Sequence, residues 1–192
     1  MTRVLLLIAS LSGLLLYGST ATATAAVTRP ATTSQGQDCV AQAEPAGSVA
    51  TPTATCYSSF SAAISAATGG RVHLPAATTP ASVTSQMIDA WNAVPSTSFV
   101  LSVDYKDADF SGGSLTWTQS TNCGKFQAAG MPSGWNDVLS SLVTSAGCAN
   151  TLYQNANFGG MTVSISRNTA RSGLGSFNDL TTSQKWCTAK PC

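Results

Sequence analysis

Two hydrophobic periods divide the chain. Between Cys56 and Val94 apolar residues recur at intervals of three and four: Phe60, Ala63, Ile64 and Ala67 fall on one face before Gly69-Gly70, and Val83, Met87, Ile88 and Trp91 fall on another. This spacing predicts two short helices around an extended stretch from Arg71 to Pro75, each helix with a narrow apolar face that needs a surface to pack on. Beyond Ser96 the period shortens to two. Leu101, Val103 and Tyr105 alternate with Ser102 and Asp104, Leu115 and Trp117 with Ser114 and Thr116, and Met161, Val163 and Ile165 with Thr162, Ser164 and Ser166. Such alternation predicts strands that bury one face and leave the other to solvent.

The strand region is written twice. Tyr105-x4-Phe110-x-Gly112 returns as Tyr153-x4-Phe158-x-Gly160, and the hexapeptide Asn136-Asp137-Val138-Leu139-Ser140-Ser141 returns as Asn178-Asp179-Leu180-Thr181-Thr182-Ser183. The first copy is the longer between its two signatures, as a tolerant loop allows. A repeat of this length points to two copies of one supersecondary unit, neither able to bury its apolar face alone.

Ahead of the periodic segments the chain opens with Arg3, an apolar run from Val4 to Leu16 and small residues at Ala21, Ala23 and Ala25. That order reads as a secretory signal peptide over residues 1–26. No later stretch approaches the roughly 20 apolar residues that cross a bilayer, so a soluble exported protein with no membrane association is expected. Residues 27–55, rich in Ala, Thr, Ser, Pro and Gln, read as a linker containing a solvated Glu44, the only Glu of the chain. The remaining divisions are a small helical extension over 56–95, the repeated domain over 98–187 and a tail over 188–192.

Charge narrows the choice of partners. With Arg3 removed, the remaining basic and acidic side chains balance, which gives no electrostatic reason to bind nucleic acid or an anionic membrane. Six cysteines (Cys39, Cys56, Cys123, Cys148, Cys187 and Cys192) favour disulfides over metal thiolates in an exported chain, and 15 pairings are open to them. Cys123 with Cys148 is the pairing expected here, since it ties the long loop of the first unit to the strand that opens the second. The other four cysteines then pair among themselves. His73 is the only histidine, and no Gly-x-Ser-x-Gly elbow accompanies it, so a structural His and a non-enzymatic protein are expected.

Together these residues resemble the βγ-crystallin family over about residues 98–187. The resemblance implies an all-β fold, a two-repeat Greek-key sandwich, here with a short N-terminal helical segment. It implies four strands per repeat, the tyrosine signatures marking the first hairpin of each. One departure is Gln184, where relatives place an apolar residue, and it suggests a less well packed second repeat. Trp135 and Phe177, each just before an Asn-Asp pair, are expected in the core.

In the same family the Asn/Asp-Asn/Asp-x-x-Ser/Thr-Ser element binds calcium, and two complete copies imply two Ca²⁺ sites. Ca²⁺ takes six to eight oxygen ligands at roughly 2.3–2.6 Å, which amides, carboxylates, hydroxyls and backbone carbonyls supply together. The expected donors are Asn136 or Asp137, the Val138 carbonyl and the Ser140 hydroxyl in the first loop, and Asn178 or Asp179, the Leu180 carbonyl and the Thr182 hydroxyl in the second. The resemblance adds a carbonyl from the hairpin of the other repeat, Asp107 for the second loop and Asn155 for the first. An Asn-Asp turn capped by Ser or Thr without metal is the plainer alternative.

These features lead to a secreted calcium-binding protein in which Ca²⁺ stabilises the sandwich. One alternative is an inhibitor of an extracellular metalloprotease, because a bacterial inhibitor family resembles the same fold. Residues 124–133, tethered at Cys123 and containing Met131-Pro132, are its candidate presenting loop. A secreted antimicrobial or killer toxin is a further alternative that no residue singles out.

Overall fold

The computed structural model describes residues 36–95, 97–145 and 147–192. The signal peptide expected over 1–26 lies outside the described residues, as does the start of the linker.

The repeated units supply eight strands in two sheets. From the first come β4 (Phe99–Asp107), β5 (Ser111–Gln119), β6 (Phe126–Ala128) and β7 (Ser141–Thr144). From the second come β8 (Ala149–Asn155), β9 (Gly159–Ile165), β10 (Ala170–Arg171) and β11 (Ser183–Cys187). Each repeat gives one strand to the sheet of the other: β10 joins β7, β4 and β5, while β6 joins β11, β8 and β9. This exchange is the two-repeat Greek-key sandwich that the resemblance implies. The backbone repeats as well as the sequence. Asp109, Phe110 and Gly112 have φ of 55°, 59° and 76°, against 55°, 64° and 75° at Asn157, Phe158 and Gly160. Gly112 and Gly160 lie at positive φ, where any side chain is strained, so each hairpin keeps glycine there for its conformation. The tyrosine of each signature meets its phenylalanine edge to face, with centroids 5.6 Å apart in the first and 5.5 Å in the second.

The linker assignment fails from Asp38 onward. Strand β1 (Asp38–Gln42) runs parallel to β5 and antiparallel to β3 (Ala54–Tyr57), and β2 (Glu44–Pro45) pairs with β6 in the other sheet. The six-stranded sheet is thus ordered β10-β7-β4-β5-β1-β3 and the five-stranded one β2-β6-β11-β8-β9. Composition misled because the buried residues are small: Cys39, Ala41 and Ala43 alternate inward and pack with Leu115 and Trp117. Entry into β1 also depends on size, since a Cβ on Gly36 would overlap the backbone of Gly113.

The extension forms α1 (Phe60–Ala67) and α2 (Ser85–Ala93), capped by Ser59 and Thr84, whose side chains accept from the N–H of Ala62 and Met87 at 3.2 Å each. Their apolar faces, including Phe60, Ile64, Ile88 and Trp91, cover Val100, Val103, Tyr105 and Val143 on the outer face of the six-stranded sheet. The expectation that β4 exposes one face is therefore corrected. With helices on one side and the second sheet on the other, Ser102 and Asp104 are buried completely.

Gln184 is not a packing defect. It too is fully buried, its Nε2 donating to Asp104 Oδ2 at 3.0 Å and its Oε1 accepting from Asn150 Nδ2 at 3.0 Å. Trp117 Nε1 donates to the same Asp104 oxygen at 2.7 Å, the Ser102 hydroxyl donates to Oδ1, and Trp186 Nε1 donates to Ser102. Burial drives the Asp104 carboxyl up to about 6 although Gln184, Trp117 and Ser102 all hydrogen-bond to it and oppose the rise. Asp104 precedes Tyr105 as Leu152 precedes Tyr153, and Gln184 follows Ser183 as Leu142 follows Ser141. One of the two symmetry-related contacts between the sheets is Leu142 with Leu152 in an apolar cluster; the other is the polar pair Asp104 and Gln184.

Candidate metal-binding loops

The two Asn-Asp loops are positioned by the strands that follow them. In the first, Ser140 N–H donates to the Tyr105 carbonyl at 3.0 Å; in the second, Thr182 N–H donates to the Tyr153 carbonyl at 2.9 Å. The last serine of each hexapeptide fastens the loop to its own hairpin. Ser141 Oγ donates to the Asp107 carbonyl at 2.6 Å and accepts from Phe110 N–H at 3.1 Å, and Ser183 Oγ does the same with Asn155 at 2.6 Å and Phe158 at 3.0 Å. Reading for metal donors missed this role. The signal was present in the serine that closes both hexapeptides.

The loops also hold each other. Asp137 N–H donates to the Thr181 carbonyl and Asp179 N–H to the Leu139 carbonyl, both at 3.1 Å. Asp137 and Asp179 have φ of 53° and 56°, a left-handed conformation that Asp tolerates better than most residues. Their side chains then reach across. Ser140 Oγ donates to Asp179 Oδ1 at 2.9 Å, and Thr182 Oγ1 donates to Asp137 Oδ1 at 3.0 Å. The structure therefore groups each hydroxyl with the carboxylate of the other loop, whereas the expected sets kept them within one loop. Asn136 and Asn178 donate to the remaining oxygen of their neighbouring aspartates at 2.7 and 2.9 Å.

Through these bonds Asp179, Ser140 and the Asp107 carbonyl come together by way of Ser141, and Asp137, Thr182 and the Asn155 carbonyl by way of Ser183. Each of these carbonyls accepts a serine hydroxyl. Asn136, Asp137, Asn178 and Asp179 are exposed, and Val138 and Leu180 are half-buried beside them. Among the described residues no three His, Cys, Asp or Glu side chains cluster. The oxygens gathered at each loop are one carboxylate with neutral donors, a set that suits a hard cation of moderate affinity and offers nothing to a soft one.

Other expected residues are placed as follows. Cys123 is joined to Cys148, Cys39 to Cys56 and Cys187 to Cys192. Trp135 and Phe177 are buried, with Lys106 Nζ 5.0 Å from the Trp135 ring centroid. Residues 124–133 are not a presented loop: β6 lies within them between β2 and β11, and Met131 is 5% exposed with its N–H on the Thr182 carbonyl at 2.8 Å. The reason is again the exchange of strands, which draws this segment into the second sheet.

Residues 104–165 match the family model described as Peptidase inhibitor family I36. No curated protein sequence matches the chain. Among solved structures, a βγ-crystallin domain from Flavobacterium johnsoniae is 28% identical, with 48% of this chain and 98% of that one covered at a TM-score of 0.34. A βγ-crystallin domain from Clostridium beijerinckii is 25% identical, with 46% and 99% covered at a TM-score of 0.35.

Proposed function

We propose that this chain is a secreted, non-enzymatic module whose paired Asn-Asp loops bind two Ca²⁺ ions and so lock the repeats together. The observation that carries this reading is the reciprocal pairing of Ser140 with Asp179 and of Thr182 with Asp137, which gathers oxygen donors from both repeats at each loop. A cation held there by Asp179, Ser140, the Leu180 carbonyl and the Asp107 carbonyl bridges the repeats. Asp137, Thr182, Val138 and Asn155 do the same on the other side. Bound Ca²⁺ supplies charge that draws these oxygens together, and at 100 times the dissociation constant each site adds about 2.7 kcal/mol to stability. One carboxylate per site fits the micromolar to millimolar affinity of extracellular calcium modules. Three disulfides support an oxidising, extracellular setting.

Calorimetric titration of Ca²⁺ into the chelator-treated mature protein, with thermal melts at both end points, tests the reading. Two binding events and a raised melting temperature are expected, and Asp137→Ala with Asp179→Ala should abolish both. An undiminished calcium-dependent rise in that double variant sinks the assignment.

A second reading, inhibition of an extracellular peptidase, is supported by the match of residues 104–165 to an inhibitor family. Inhibition of a thermolysin-type metallopeptidase by micromolar protein tests it.

A further inference from the structure

Sheet edges are where a β-protein can add a foreign strand, and natural proteins keep such edges short, charged or interrupted by proline. Three of the four edges here follow that rule. Strand β10 has two residues, one of them Arg171; β2 has two and ends at Pro45; β3 has four and carries the disulfide to β1. The fourth does not. Strand β9 runs for seven residues, Gly-Gly-Met-Thr-Val-Ser-Ile, with no charge and no proline, and among the described residues pairs only with β8.

Its outward polar groups can be assigned. The Tyr153 carbonyl is taken by Thr182 on the β11 side, so Tyr153 turns its backbone polar groups away from β9. Thr162 stands opposite Tyr153 and Ser164 opposite Thr151, and strand alternation then points the N–H and C=O of Thr162 and Ser164 toward the free edge. Beside them Met161 is 56% exposed, a large apolar side chain next to the small, exposed Gly160. The inhibitor-family match ends at Ile165, the last residue of this strand.

We infer that the free edge of β9 is the surface through which this chain enters the substrate cleft of an extracellular peptidase, adding itself as an extended strand with Met161 as its apolar anchor. The inference rests on the inhibitor reading and moves the contact away from residues 124–133. A peptidase cleft holds its substrate extended and hydrogen-bonded along the main chain, which is the complement that Thr162 and Ser164 offer. Neither calcium loop takes part.

The test begins with wild-type protein assayed against a thermolysin-type metallopeptidase, a subtilisin-type serine peptidase and a papain-type cysteine peptidase. For any enzyme inhibited, Thr162→Pro and Met161→Lys are then measured. Proline at 162 removes an outward N–H and leaves the β8 ladder intact, and lysine at 161 replaces the anchor with a charge. Each should raise the inhibition constant about tenfold or more with the melting temperature unchanged, and the Thr162 and Ser164 amides of wild-type protein should exchange more slowly in the complex. That exchange measurement decides the matter if Thr162→Pro does not fold. Unchanged inhibition by both variants, or unprotected amides, overturns the edge assignment and leaves the inhibitor reading standing. Inhibition of none of the three enzymes removes both. A concentration-dependent dimer that Thr162→Pro abolishes gives the edge to a second copy of the chain and also overturns the inference.

Discussion

Replacing Asp104 with Asn should make the protein more stable at neutral pH. The carboxyl is fully buried between the sheets with no cation in its network, and its folded value of about 6 stands above the 3.8 of an exposed aspartate. Because the folded state holds this proton more tightly than the unfolded state, the associated stability is complete below pH 3.8 and is lost as pH rises through about 6. The gap corresponds to about 3 kcal/mol between acidic and neutral solution. Asn keeps one oxygen for Trp117 Nε1 and Gln184 Nε2 and turns its amide toward Ser102 Oγ, so most of the hydrogen bonding survives without the buried charge. Some of the gain is lost at Ser102, whose hydroxyl must give up its present acceptor, and a net stabilisation of about 1–2 kcal/mol at pH 8 is expected. The assay is denaturant unfolding of both proteins from pH 3.5 to 8 in chelator, with disulfides intact. Subtracting the two curves cancels the other carboxylates and isolates Asp104. A difference that stays flat across this range, or an Asn variant less stable at pH 8, refutes the reasoning.

Other consequences follow from the same geometry. Converting both Asp104 and Gln184 to Leu copies the Leu142–Leu152 contact on the opposite side of the pseudo-twofold axis; unfolding should show the double variant losing less stability than the sum of the two single variants, because each single change strands a polar partner. Ser141→Ala and Ser183→Ala each remove a donor to a hairpin carbonyl and an acceptor for a hairpin N–H, and should each cost about 1–3 kcal/mol in melts run without calcium. In calcium titrations Ser140→Ala should be strongly coupled to Asp179→Ala and nearly additive with Asp137→Ala, the reverse of what donors kept within one loop would give. Replacing Cys39 and Cys56 with Ala opens a loop spanning 17 residues and should cost about 3 kcal/mol, with limited proteolysis then cutting between β1 and β3.

The repeat made the sandwich legible because its signals are local. Left-handed residues in each hairpin, a tyrosine beside a phenylalanine and an Asn-Asp turn leave marks within a few positions of one another. The helices were equally readable, since Phe60, Ala63, Ile64 and Ala67 are the residues that α1 buries. What escaped were features that depend on contacts far along the chain. Ser102 and Asp104 have the alternation of a solvent face, and only the second sheet covers them. Cys39, Ala41 and Ala43 alternate as a strand should, but small side chains weigh little in a hydrophobic pattern even when they fit against Trp117. Gln184 looks like a departure in its own repeat and Asp104 like an ordinary solvent-facing residue; their partnership needs both sheets in place.

The calcium and inhibitor readings meet at one joint. Ser183 follows directly on Thr182, whose hydroxyl holds Asp137, and its own hydroxyl ties Asn155 to Phe158. Phe158 in turn leads straight into β9, with the Lys185 ammonium 4.2 Å from its ring centroid. The loop that gathers cation donors and the start of the free edge therefore share a short run of hydrogen bonds. Ordering that loop restricts the entry to β9 without touching Thr162 or Ser164. A strand that must be added to another protein loses less conformational entropy on binding if it is already held straight. If both proposals hold, calcium at the Asn155 side would serve an inhibitor beyond global stability by holding the entry to β9, without itself meeting the peptidase.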